Sequence, residues 1–265
     1  MGPATPQDKD FPWWLVIVAV TGLYLFFRVA TDDMYRNVLG VLAKGIWVTI
    51  YVTLISYVLA SLLGLGLALG QMSRWMVLRQ VARLYVEVMR GIPIMVLLLY
   101  VSFAFVPALI EGWNRIAEWR GWTELTGRDF PFIWRAVIAL TLAYASFLAE
   151  VFRAGLISVE KGQIEAAEAL GLSRWQRFRH IVFPQAFRTI LPPLGNDFVA
   201  MIKDSSLVSV VGVADITQLG KTWAAGNFRY LETYNVMALI YLTMTICLSL
   251  GLRRWEQRLR AKSQR

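Results

Sequence analysis

Three stretches of the chain, residues 45–73, 91–110 and 233–252, contain no Asp, Glu, Lys or Arg. A helix needs about 20 predominantly apolar residues to cross the hydrocarbon core of a bilayer, so each stretch predicts a transmembrane helix. Residues 11–27 are also uncharged and open near Trp13 and Trp14, residue types that anchor a span at the interface, so they predict a first crossing. Residues 130–149 carry only Arg135, near the start, where a long side chain can snorkel to the headgroups. Residues 189–214 are interrupted by Pro192, Pro193, Asp197, Lys203 and Asp204, and predict one bent span whose polar groups face protein or water. The pattern as a whole predicts about six transmembrane helices in an all-α, polytopic membrane bundle.

Small residues recur within the second span, at Ala60, Gly64 and Ala68 and again at Gly66 and Gly70. A four-residue spacing puts each set on one helix face and lets helices approach closely in lipid. Charge between the spans then orients them. Residues 71–90 hold Arg74, Arg79, Arg83 and Arg90 against Glu87, residues 150–188 hold six Lys or Arg, and the tail from Arg253 holds six against Glu256. The alternate connections are poorer in positive charge: 111–129 has three Arg against four acids, and 215–232 pairs Lys221 and Arg229 with Asp215 and Glu232. Positive residues stay on the cytoplasmic side, so the alternation predicts a multi-pass membrane protein with both termini cytoplasmic.

Composition agrees with this class, since 57% hydrophobic residues and 11 Trp exceed what a soluble core of 265 residues needs. The net charge of +9 is accounted for by the cytoplasmic loops, without a nucleic-acid partner. A secretory signal peptide is disfavoured because Lys9 is flanked by Asp8 and Asp10 and no A-x-A cleavage site follows. The start also departs from the myristoylation pattern at Pro6.

The inventory of reactive residues excludes several chemistries. His180 is the only histidine and Cys247 the only cysteine, so a His/Cys metal site or a Cys-His nucleophile has almost nothing to draw on, and no intrachain disulfide can form. Gly220-Lys221-Thr222 resembles the end of a phosphate-binding loop, but Asp215 stands where that motif requires its first glycine. No catalytic or metal residue is therefore assigned, and no ATP site. No internal repeat of the kind found in many secondary transporters is evident.

One polar stretch in the middle of the chain, EAAEALGLSRWQRFRHIVFP over residues 165–184, carries sharply placed turn signals. Residues 163–170 are strong helix formers and Gly171 stands at a left-handed C-cap position. Ser173 opens an S-x-x-Q capping box with Gln176, and Pro184 closes the second helix. The first helix presents Ala166, Ala167 and Ala169 as a shallow surface, and the second is basic through Arg174, Arg177 and Arg179. Such a helix-turn-helix suits docking into a partner's groove, and it equally suits lying on the anionic inner leaflet.

Glu165-Ala166-Ala167, then Gly171, then Ile181 and Phe183-Pro184 resemble the EAA cytoplasmic loop of permease subunits in bacterial ATP-binding-cassette (ABC) importers, with Phe183 in place of the usual Leu. YVEVMRGIPIMVLLLY (85–100), EVFRAGLISVEKGQIEAAEALG (150–171) and LPPLGNDFVAMIKDSSLVSVVG (191–212) are similar to the polar amino acid permeases of that family. The resemblance implies the type I importer (MetI-like) fold over residues 39–256, with the EAA loop at about 160–184. Residues 1–38 would be an additional transmembrane helix and outer loop, 257–265 a basic cytoplasmic tail, and 111–129 an added outer loop. It implies two ABC ATPase subunits that bind ATP and Mg, a second permease subunit, identical or paralogous, and a periplasmic binding protein that delivers an amino acid. No cofactor is implied in this chain.

Coupling to the ATPases is implied for Glu165, Ala166, Ala167, Gly171, Arg174, Ile181 and Pro184. Glu165 reads as near the start of its helix, where the helix dipole favours a carboxylate. Asn196, Asp197, Lys203, Asp204 and Ser205 are candidates for the translocation pathway, because intramembrane polar groups mark pathways by default. Lys203 with Asp197 or Asp204 reads equally as a structural ion pair. A secondary transporter or channel working without an ATPase is the alternative function.

Overall fold

The computed structural model describes residues 13–263, so readings that fall on residues 1–12 and 264–265 lie outside the described residues. Helices account for nearly all of it, and no strand occurs among the described residues. α1 (Trp13–Thr31) is followed by α2 (Asp33–Gln71), α3 (Met76–Gly91), α4 (Ile94–Tyr100) and α5 (Val106–Arg120). Then come α6 (Phe132–Ile157), α7 (Lys161–Ala169), α8 (Arg174–Arg177), α9 (Phe183–Asp204), α10 (Ile216–Asn227) and α11 (Tyr230–Ser263). Four helical stretches are long and apolar enough to cross a membrane: α2, the run Ile94–Arg120, α6, and Tyr230–Trp255 within α11. The apolar part of α1, Val16–Thr31, is shorter.

α6 is the most enclosed of these spans, and α2 packs along it. Their contact is close because Ala60, Gly64 and Ala68 are buried on one face of α2, as their spacing predicts. A Cβ on Gly64 would lie 2.9 Å from the Ala145 carbonyl and 3.0 Å from Leu148 Cβ, so only glycine permits this approach. The second pair divides: Gly70 meets Ala82 of α3, whereas Gly66 faces open space and packs against nothing. Val52, Leu98, Leu140, Leu148, Met201 and Val208 form the central core between α2, α4, α6 and α9. A second cluster, with Val38, Leu42, Ile216 and Val236, joins α2, α10 and α11.

The structure revises the sequence reading in several places. The connection expected as an outer loop within residues 1–38 is a single residue, Asp32, which caps α2 by accepting from Met34 N at 2.9 Å. The 38/39 boundary therefore falls inside a continuous helix. Residues 76–91 form an amphipathic helix, and 216–227 form α10, which is pressed so tightly onto α2 that a Cβ on Gly45 would overlap the backbone of Asp215 and Ile216. The helix of the third span runs on to Arg120, and the chain folds back along it. There the Asn114 side chain donates to Leu125 O at 2.9 Å and accepts from Leu125 N at 2.8 Å. In the same loop, Thr126 donates its N–H and its hydroxyl to Asp129, which holds that carboxyl below the usual carboxylate range. In the bent span, α9 is helical through Pro192 and Pro193. The geometry changes at Ser205, where a 3₁₀ turn (Ser205–Val211) leads to Gly212 at φ 82°.

Arg135 does not snorkel. It is buried and donates to three carbonyls, Ser102 O at 2.7 Å, Phe130 O at 2.9 Å and Gly127 O at 3.0 Å. The reason lies in a π-helical turn, Val101–Phe105, between α4 and α5. Val106 N–H bonds to Val101 O, and the next residue, Pro107, has no N–H to give. Ser102 O is thus left without its helical donor, and Arg135 supplies one.

Candidate functional site

The polar stretch at 165–184 forms the turn its sequence predicts. Gly171 adopts φ 76°, and the Schellman pair of hydrogen bonds is present: Leu172 N to Ala167 O at 3.1 Å and Gly171 N to Glu168 O at 2.9 Å. The capping box of Ser173 and Gln176 closes with bonds of 2.9 and 3.4 Å and starts α8 immediately after the turn. Arg177 reaches back across the turn to Glu168 at 2.8 Å, fixing the two short helices relative to each other. A second π-helical turn, Phe178–Val182, then carries the chain into α9. It again ends two residues before a proline, Pro184, by the same loss of an N–H.

Glu165 and Ala166 of α7 are exposed, as are Gly171 and Arg174; Ala167 faces inward, and Ile181 and Pro184 are half-buried. The helix begins at Lys161, so Glu165 lies in the second turn, beyond the reach of the helix dipole; Glu160, at the N-cap, occupies the favoured position instead. Leu170, at 81% exposure, is the apolar tip of the turn. The inner side of the loop is rooted in a small core. Val159, Ala186 and Ile190 are buried there with Ile164 and Val182 packed around them, joining α6, α7 and α9. Gly155 of α6 makes this joint possible, since a Cβ there would overlap Ile190. One helix turn earlier, Glu150 binds Arg153 at 2.6 Å and accepts from Gln71 of α2 at 3.3 Å. The α7–α8 turn is thus connected to the adjoining ends of α6 and α9 and, through Glu150, to the end of α2.

The candidate pathway residues fall on two faces of α9. Asn196 and Lys203, seven residues apart, share an exposed face. Asp197 and Asp204 share the adjacent half-buried face, where Asp204 accepts from the Tyr144 hydroxyl at 2.7 Å and Asp197 lies within electrostatic reach of Tyr57 and Tyr144. Ser205 is buried, with its hydroxyl on Ile202 O at 2.7 Å. Among the described residues Lys203 makes no ion pair, so the structural-pair reading is not realised within the chain. The two tyrosines escaped the sequence reading because their partners lie far along the chain, Asp204 60 residues from Tyr144 and Leu194 137 from Tyr57; neither carries a local signal. The Glu168–Arg177 bridge was missed because its spacing matches no helical repeat. No group of three or more metal-binding side chains occurs among the described residues.

An all-helical bundle with this loop matches a family described as the binding-protein-dependent transport system inner membrane component, over residues 60–261. The chain belongs to that family. It is 35% identical over 219 residues to the glutamine transport system permease protein GlnP of Escherichia coli (strain K12), covering 83% of this chain and 93% of that one. It is also 35% identical over 237 residues to the L-cystine transport system permease protein TcyL of Bacillus subtilis (strain 168), covering 88% and 93%. Among solved structures it superposes on a crystal structure of an amino acid ABC transporter with histidines, at a TM-score of 0.69 and 34% identity, covering 83% and 94%. The inward-facing MetNI methionine ABC transporter shares the fold, at a TM-score of 0.64 and 20% identity, covering 86% and 99%. The chain is therefore a multi-pass permease subunit of the type I ABC importer fold.

Proposed function

We propose that this permease forms half of the membrane pathway of an importer for polar or charged amino acids, with both termini and the α7–α8 turn in the cytoplasm. Two ATPase subunits, which bind ATP and Mg, grip the turn from below, and a periplasmic binding protein delivers substrate from above. A second permease, identical or paralogous, completes the pathway. The observation that carries this reading is the α7–α8 turn itself: exposed at Glu165, Ala166 and Leu170, internally braced by Glu168–Arg177, and rooted through Gly155 and Ile190 in the ends of α6 and α9. A braced turn passes displacement inward instead of absorbing it. ATP-driven closure of the ATPases moves the turn, and the α6–α9 joint carries that motion to the two adjacent faces of α9 that bear Asn196 with Lys203 and Asp197 with Asp204. Such a device changes the pathway only as far as the ATPases hold the two states differently. Charges of both signs on α9 suit a zwitterionic α-amino acid, with Lys203 available to a carboxylate and Asp197 and Asp204 to an ammonium.

Reconstitution tests this directly. The permease co-expressed with its ATPase, second permease and binding protein is placed in liposomes, and uptake of labelled amino acids is measured with ATP or a non-hydrolysable analogue inside. Uptake is expected only with ATP and the binding protein. Uptake driven by an ion gradient without the ATPase would assign the chain to secondary transport instead.

A further inference from the structure

Much of the apolar surface is exposed, and part of it forms a crevice. It runs between α2, α9 and α11, is lined by Tyr57, Phe187, Leu191, Phe198, Leu252 and Trp255 among others, and has a volume of about 400 Å³. Its wall is almost wholly apolar. The Tyr57 hydroxyl is turned into α9, where it donates to Leu194 O at 2.7 Å, so only the ring faces the crevice, packed edge-on against Phe198 at 5.0 Å.

Two measures identify an occupant. From Phe187 to Phe198 the crevice follows α9 for about 16 Å, close to the ~15 Å depth of one leaflet's hydrocarbon. At the end marked by Phe187, Leu252 and Trp255 stand Arg188, Arg253 and Arg254, all exposed and none in an ion pair among the described residues. A slot one leaflet deep, apolar throughout and rimmed at one end by unpaired guanidinium groups beside an interfacial tryptophan, has the chemistry of a phospholipid site. We propose that this crevice binds an anionic phospholipid of the cytoplasmic leaflet, its acyl chain along Leu191 and Phe198 and its phosphate at Arg188 and Arg254. The leaflet named here rests on the cytoplasmic placement of the C-terminal end proposed above; the binding itself does not. The site lies where α9 leaves the coupling turn and α11 leaves the membrane, so a bound lipid would brace the same joint.

The full complex in nanodiscs, where both leaflets are accessible whatever the orientation, tests binding separately from topology. Phosphatidylglycerol or phosphatidylcholine carrying a photoreactive acyl chain is crosslinked, and labelled peptides are mapped. Phosphatidylglycerol should label segments 187–198 and 252–255 several-fold more than phosphatidylcholine. Arg188→Gln with Arg254→Gln should bring the two lipids to equal labelling, a several-fold loss that lies within the roughly thirtyfold two membrane-surface basic residues can supply, while ATPase assembly is unchanged. Equal labelling by the two lipids would overturn the proposal in favour of ordinary annular lipid. Absence of label, together with disulfide crosslinking between two chains carrying Leu191→Cys in the Cys247→Ala background, would overturn it in favour of a permease–permease interface.

Discussion

At the scale of single residues, the Ser102 carbonyl accounts for a buried arginine. Pro107 cannot donate to it, the widened turn leaves it open, and Arg135 closes the gap while also binding Phe130 O and Gly127 O. Arg135→Met should therefore cost about 2–4 kcal/mol, because it removes charge-assisted bonds and leaves Ser102 O unsatisfied. A fall in the thermal midpoint of the detergent-solubilised permease checks this, with Arg135→Lys recovering only part, since an ammonium lacks the guanidinium's spread of donors. Lys203 is the opposite case. It is exposed and makes no ion pair among the described residues, so Lys203→Gln should leave the melting midpoint and assembly unchanged while altering substrate-stimulated ATPase activity. A loss of assembly with no separate kinetic effect would return Lys203 to a structural role. Asp197→Asn, half-buried near Tyr57 and Tyr144, should change the same kinetics.

At the scale of elements, the joint between α6 and α9 depends on Gly155, whose missing Cβ makes room for Ile190. Gly155→Val should force these helices apart at a cost of about 1–3 kcal/mol and lower transport more than it lowers ATPase activity; equal losses in both would argue that the joint only holds the fold together. What the sequence made legible divides along physical lines. The long uncharged spans and the α7–α8 turn were readable because hydropathy, αL glycine and the capping box are local codes, and Gly171 and Ser173 carry them unaided. α10 was not, because Gly45 opposite Ile216 is a tertiary fit with no local mark. α3 was hidden by its arginines, which read as loop charge although Ala82 and Val86 pack inward. Arg135 was misread for a related reason: the need it answers belongs to a carbonyl 33 residues away.

At the scale of the whole molecule, the charge alternation and the bundle make a claim about sides. Single cysteines at Ser173 and Thr123, in the Cys247→Ala background, should label from opposite faces of sealed vesicles, and labelling of both from outside would contradict the cytoplasmic placement of the turn. The central claim is that this turn transmits force. Gly171 adopts φ 76°, and a Cβ there would meet no neighbour within 4 Å among the described residues, so substitution costs chiefly backbone strain, about 1–2 kcal/mol. Substitution should thus spare folding while obstructing a partner and shifting the angle between α7 and α8. The most direct measurement is transport and ATPase activity of the reconstituted complex carrying Gly171→Asp, with a pull-down of the ATPase and a melting curve alongside and Glu165→Ala as the milder comparison. The account predicts a folded, inserted permease that has lost transport, through weakened ATPase docking or through hydrolysis uncoupled from uptake. Full transport with the ATPase bound normally would contradict it.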